Sequence, residues 1–110
     1  TVESVAARRQ LSIQPDSHPQ SGGYYRSDHY SFARQGIPAF SVNMGGAYIG
    51  KPPGFAGEKQ KEVAARYHQP SDEYHADWDF SGMEQFARFG FDLGVEIANL
   101  ETIPARIDRN

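Results

Sequence analysis

Ile37-Pro38-Ala39-Phe40-Ser41-Val42-Asn43-Met44 carries the clearest strand pattern in this chain, and its reading decides the fold. Phe40, Val42 and Met44 fall on one side of a pleat, and Gly45-Gly46 ends the run. Immediately upstream, Tyr30, Phe32 and Ala33 give an apolar face to a two-turn helix over residues 28–35. Ser27 suits its N-cap, Asp28 its first turn and Gly36 its stop. Residues 15–25, rich in Pro, Ser, Gly and Asp, read as a surface loop. Before it, Leu11-Ser12-Ile13-Gln14 alternates apolar and polar and predicts a second, short strand closed by Pro15. Val2, Val5, Ala6 and Arg9 recur at helical spacing, which predicts the end of a helix over 2–10.

Downstream of Gly45, the glycines and two prolines of residues 45–57 predict a long structured loop. Residues 58–66 read as a helix with Val63 and Ala64 turned inward, and residues 67–79 as irregular chain. Ser81 is expected to cap a final helix running to about Leu100. Met83, Phe86, Ala87, Gly90, Leu93, Gly94, Ile97 and Ala98 trace its 3.6-residue stripe, while Phe89, Phe91 and Val95 lie off it. The element order predicts an α/β fold with a parallel sheet, about two strands and three to four helices. Two parallel strands make a poor sheet, since each needs neighbours and cover on both faces. The sheet is therefore expected to be completed by more of the same domain or by another chain. Self-association is the corresponding expectation in solution.

The composition narrows the functional classes. A chain of 110 residues is enough for one domain and too short for two. Its net charge of −3 argues against a nucleic-acid binder or a polybasic membrane surface. With no cysteine, there is no disulfide, no thiolate nucleophile and no Cys-ligated zinc. No apolar run approaches the roughly 20 residues of a membrane span. Thr1-Val2-Glu3-Ser4-Val5 has neither an initiator Met nor a basic-then-apolar signal, and it reads as the middle of a helix. A fragment is the expectation.

Four segments can carry chemistry. Tyr25-Arg26-Ser27-Asp28-His29 enters a helix whose N-terminus favours an anion or a substrate carbonyl, although taken alone these residues are more often a simple cap with a solvated first turn. Tyr67-His68-Gln69-Pro70-Ser71-Asp72-Glu73 sets a His on a proline-stiffened loop after a helix, a place for a metal ligand, a general base or a structural His. His75-Ala76-Asp77 could chelate, but Trp78, Asp79 and Phe80 beside it suggest a structural loop-to-helix junction. The glycine-rich loop 45–57 lacks the order of a phosphate-binding loop, and Gly50-Lys51-Pro52 cannot open a helix as such loops do.

The first two segments together resemble a known family. Arg26-Ser27-Asp28-His29-Tyr30-Ser31-Phe32-Ala33-Arg34-Gln35-Gly36-Ile37-Pro38-Ala39 is similar to the SDH…F…GIPA stretch of the co-catalytic di-zinc aminopeptidases. That family includes leucyl-type aminopeptidases, glutamate carboxypeptidase and, as a degenerate member, the transferrin receptor. Tyr67-His68-Gln69-Pro70-Ser71-Asp72 resembles its closing YHxPxD motif. The blocks come in the family's order, and the likeness extends over essentially residues 1–100.

The resemblance implies a three-layer αβα zinc-peptidase fold, of which this chain is the C-terminal part of a single catalytic domain. It also implies hydrolysis of an N-terminal peptide bond by water activated on two zinc ions. His68 matches the last zinc ligand. Tyr67 matches a residue that in some branches donates a hydrogen bond to the tetrahedral oxyanion. Ser27, Asp28 and His29 match a stretch near the substrate pocket, and loop 45–57 matches its rim. The remaining ligands of the family, a His-x-Asp and a Glu-Glu pair among them, precede these motifs. This chain has no Glu-Glu dipeptide, and its only His-x-Asp, His75 to Asp77, follows the closing motif. The expectation is an inactive portion of a secreted or periplasmic zinc aminopeptidase, completed by an N-terminal part of the same domain and acting on peptides. A non-catalytic interaction domain of the same fold, as in the receptor branch, is the alternative.

Overall fold

The computed structural model describes residues 1–105. Four α-helices appear in order: α1, Val2–Arg8; α2, His29–Ala33; α3, Phe55–Arg66; and α4, Ser81–Ala98. Two short 3-10 turns, Pro19–Ser21 and Gly23–Arg26, lie within the loop before α2. The chain divides into two compact units. One comprises residues 1–43 with the chain from Ala87 onward, and the other residues 44–86.

The first unit contains the buried core. Val5 and Ala6 of α1, Ala33 of α2, and Phe89 and Leu93 of α4 are its buried apolar side chains, with Val5 fully shielded. Two ion pairs fasten α1 to α4: Arg8 with Glu96, and Arg9 Nε with Asp92 Oδ2 at 2.6 Å. Ser4 Oγ also donates to Glu96. The buried face of α4 in this unit therefore runs through Phe89 and Leu93, with Asp92 and Glu96 on its rim. This differs from the stripe expected from periodicity, because Gly90, Gly94 and Ile97 instead line an open groove with Pro38, Ala39, Phe40 and Val42.

That groove bears on the main correction to the fold. Among the described residues there is no strand, so the αβα architecture with about two strands is not what this chain forms. Residues 37–44 and 11–14 lack any helical or ladder assignment. Alternation marks which side chains share a face, but a strand exists only when its backbone finds a neighbouring backbone to pair with. Here the apolar side of 38–42 meets the small-residue face of α4, and Phe40 remains 50% exposed.

Helix ends follow local chemistry more closely. At the end of α2, Ile37 N–H donates to Phe32 O and Gly36 N–H to Ala33 O, with Gly36 at φ 78°. This is a Schellman closure, and its left-handed residue is the glycine expected to stop the helix. α1 closes in the same way, by Leu11 N–H to Ala6 O and Gln10 N–H to Ala7 O, with Gln10 in the left-handed position at φ 57°. The expected caps shift by a residue or two. Asp28 is the N-cap of α2 and makes no side-chain cap bond, whereas Ser27 is extended. Asp79 Oδ1 accepts the Ser81 N–H, so Asp79 caps α4.

In the second unit α3 begins at Phe55, earlier than the expected residue 58, and none of its residues is buried. Val63, expected to point inward, is exposed. Phe55 is the local hub, edge-on to Tyr48 at 5.1 Å, with Lys51 Nζ and Lys59 Nζ at 5.3 and 5.9 Å from its ring centre. Among the described residues no helix is long and apolar enough to cross a membrane.

Candidate functional site

Tyr67 and His68 leave α3 through a tight turn in the second unit. Tyr67 has φ −52° and ψ 122°, His68 has φ 58°, and Gln69 N–H donates to Arg66 O at 2.8 Å. These values define a type II β-turn over residues 66–69, whose third position requires positive φ and is ordinarily Gly or Asn. A histidine occupies it here. Its ring stacks on that of Tyr67, with centres 3.9 Å apart and planes 20° from parallel. The Tyr67 side of the turn is open, with the residue 61% exposed.

A second turn follows at once. Asp72 N–H donates to Gln69 O at 3.0 Å, with Pro70 in the position that its fixed φ favours. Arg66, the first residue of this double turn, lies over the Trp78 ring at 4.9 Å from its centre. Arg66 Nη1 is 3.4 Å from Glu62 Oε1, and Arg66 Nε is 3.8 Å from Asp72 Oδ1. Trp78 also meets Tyr74, Phe80 and His75, the last at 5.5 Å, which fits the structural reading of the His75–Asp77 stretch. A hydrogen bond from Lys59, with the charges of Lys59, Arg66 and His75, holds the Glu62 carboxyl below the ordinary range. Hydrogen bonds from the Ser81 hydroxyl and N–H likewise lower Asp79.

Ser27, Asp28 and His29 lie in the first unit. Their side chains do not converge on one another. Ser27 Oγ donates to Gly23 O at 3.3 Å, while His29 Nδ1 pairs with Ser41 Oγ at 2.9 Å. His29 Nε2 is buried and has no hydrogen-bond partner among the described residues. Whichever tautomer Ser41 selects, one ring nitrogen thus stays unsatisfied, a cost that a functional site can carry. Tyr24 flanks the imidazole at 4.7 Å and donates from its hydroxyl to Ala39 O at 3.1 Å. Tyr25 and Tyr30 complete a set of edge-to-face rings with Tyr24.

Sequence reasoning missed Tyr24, Ser41 and Arg66. Arg66 left a signal, since its charge is opposite to that of Asp72 at the far end of the Tyr-His-Gln-Pro-Ser run. Ser41 left none, because its partner is reached only through the fold.

The family model of peptidase family M28 matches residues 1–89, and the chain belongs to that family. The family is a zinc metallopeptidase family, which makes the origin of this chain peptidase-like. No curated protein and no solved structure matched the chain. Among the described residues there is no group of three or more His, Asp or Glu side chains that could hold a metal ion. The donor set present therefore does not fit a zinc pair; His68 stands as a single candidate ligand.

Proposed function

We propose that this chain supplies residues to an aminopeptidase: Tyr67 and His68 on the turn after α3 and, taken separately in the first unit, Ser27, Asp28 and His29. The observation that carries the reading is the turn itself. A histidine in a backbone position suited to glycine, beside an open tyrosine, is a disfavoured arrangement of the kind found at functional sites. The Tyr67 phenol is a neutral donor suited to an oxyanion that develops at a substrate carbonyl. Ser27, Asp28 and His29 are assigned to the substrate side, and loop 45–57 to the rim.

The 110-residue chain alone is proposed to be inactive, its remaining groups coming from an N-terminal part of the same domain. The complete gene product is proposed to be secreted or periplasmic. The test is hydrolysis of an aminoacyl-anilide and of its N-acetylated counterpart, by the chain alone and by its complete coding sequence. Cleavage of the free-amine substrate only, and only by the complete product, is the expected result. Cleavage of the blocked substrate would point to a different peptidase specificity.

A second reading, a non-catalytic interaction domain, draws on the exposed Ile37, Phe40 and Met44 of a segment without regular secondary structure. Absence of any hydrolysis by the complete product would favour it.

A further inference from the structure

We infer that Arg66 is a positioning residue, which holds Tyr67 and His68 in place from the first position of a closed double β-turn. The inference rests on the peptidase reading for its purpose, though not for its geometry. Residues 66–69 and 69–72 form two turns that share Gln69, closed by the Gln69 N–H to Arg66 O and Asp72 N–H to Gln69 O bonds. The first and last residues of this unit carry opposite charges and lie 3.8 Å apart. The peptide is thus closed by backbone bonds within each turn and by one ion pair across both.

Arg66 is itself fixed from three directions. Glu62 pairs with its Nη1 from the preceding turn of α3, its Cζ lies over the Trp78 ring, and Asp72 Oδ1 stands 3.8 Å from its Nε. The last is a charge contact and not a hydrogen bond, since Nε is buried with no hydrogen-bond partner among the described residues. Its side chain is only 20% exposed, in contrast to the open Tyr67 next to it. A planar guanidinium can meet an aromatic face and two carboxylates at once, which an ammonium on a flexible stem cannot. The need for such a clamp follows from His68. A non-glycine residue at φ 58° relaxes toward negative φ unless its surroundings over-determine it. Relaxation would swing the imidazole off the Tyr67 ring and spoil the direction of both side chains. Helix α3 has no comparable need of Arg66, since its own backbone ladder ends with Tyr67 N–H to Val63 O at 2.8 Å.

The test is nuclear magnetic resonance on the isotopically labelled full chain. It compares the starting protein with Arg66→Met, which keeps an apolar stem over Trp78, with Arg66→Lys, and with Asp72→Asn. The Tyr67–His68 inter-ring Overhauser contacts and the His68 Cα shift, which reports a left-handed backbone, are the readouts. Both should be lost in Arg66→Met, unrescued by Arg66→Lys and weakened in Asp72→Asn, while helix content by circular dichroism stays unchanged. Unaltered ring contacts and Cα shift in Arg66→Met would overturn the proposal. Should Arg66→Met fail to fold, Asp72→Asn decides in its place, because it leaves the Arg66–Trp78 packing intact. In the complete gene product Arg66→Met should lower kcat by about 10²-fold with KM nearly unchanged, as misplacement of a reacting group does. Lost ring contacts in a protein without hydrolytic activity would uphold the clamp and overturn the aminopeptidase reading. Retained contacts in an active protein would do the reverse.

Discussion

Arg9 and Asp92 lie 83 residues apart in sequence and share a 2.6 Å hydrogen bond between Nε and Oδ2. With the neighbouring Arg8–Glu96 pair, this contact fastens the first helix of the chain to its last. The two pairs join the helices that carry Val5, Ala6, Phe89 and Leu93, which with Ala33 form the small buried core. Hydrogen bonds from Arg9 and Arg8 hold the Asp92 and Glu96 carboxyls below their ordinary values.

The first prediction concerns acid. Carboxyls whose folded pKa is depressed contribute stability that is fully present above their unfolded pKa and is lost as pH falls through the folded one. Protonation of Asp92 and Glu96 removes their pairs with α1, and the depressed Glu62 and Asp79 carboxyls add their own share to the acid loss. Thermal melts should show a falling midpoint below the ordinary carboxylate range. Asp92→Asn with Glu96→Gln should flatten this acid limb, and high salt should blunt it. An acid limb unchanged in the double variant would remove these pairs from the account.

His68→Gly tests the strained turn. Glycine adopts the left-handed position without the penalty of about 1–2 kcal/mol that an L side chain carries, offset by about 0.4–1 kcal/mol of extra unfolded-state freedom. His68→Gly should therefore melt at or above the starting protein, and above His68→Ala, which keeps the strain. In the complete gene product both should lose activity. A His68→Gly midpoint well below that of His68→Ala would mean that the turn is not strained as described.

Tyr67→Phe separates the two members of the stacked pair. The variant keeps the ring against His68 and removes only the phenol donor. If the phenol serves an oxyanion, kcat in the complete gene product should fall by about 10²–10³ with KM little changed. His68→Ala should lose rate as well. Unaltered turnover in Tyr67→Phe would reduce Tyr67 to a packing residue.

Zinc gives a fourth expectation. Because the described residues include no group of three or more potential ligands, the 110-residue chain should bind zinc no better than an ordinary surface His does. One tight stoichiometric site by calorimetric titration would contradict this and direct attention to His29, Asp72 and His75.

The fifth prediction follows from residues 37–44. This irregular segment exposes Ile37, Phe40 and Met44, apolar side chains that a second copy could cover. Sedimentation should show concentration-dependent self-association, reduced by Phe40→Lys. A monomer at all concentrations, with a sharp melt, would show that the present core suffices.

Local features were legible because local rules produce them. Val2, Val5 and Ala6 announced α1, Gly36 the left-handed stop of α2, and Pro70 a stiffened loop after α3, each decided by residues within one or two turns of chain. Residues 27–39 and 67–72, read together, also pointed to the family that the match over residues 1–89 then showed. The sheet was not legible in this way. Phe40, Val42 and Met44 alternate as a strand does, but alternation says nothing about whether a second backbone is present to pair with. Tertiary structure instead set residues 38–42 along the Gly90–Gly94 side of α4, and it turned Phe89 rather than Gly90 into the core. It also selected Ser41 as the partner of His29 and set Arg66 between Glu62, Asp72 and Trp78. Such contacts join residues that no short-range period links, and their free energy exists only once the chain has closed the loops between them.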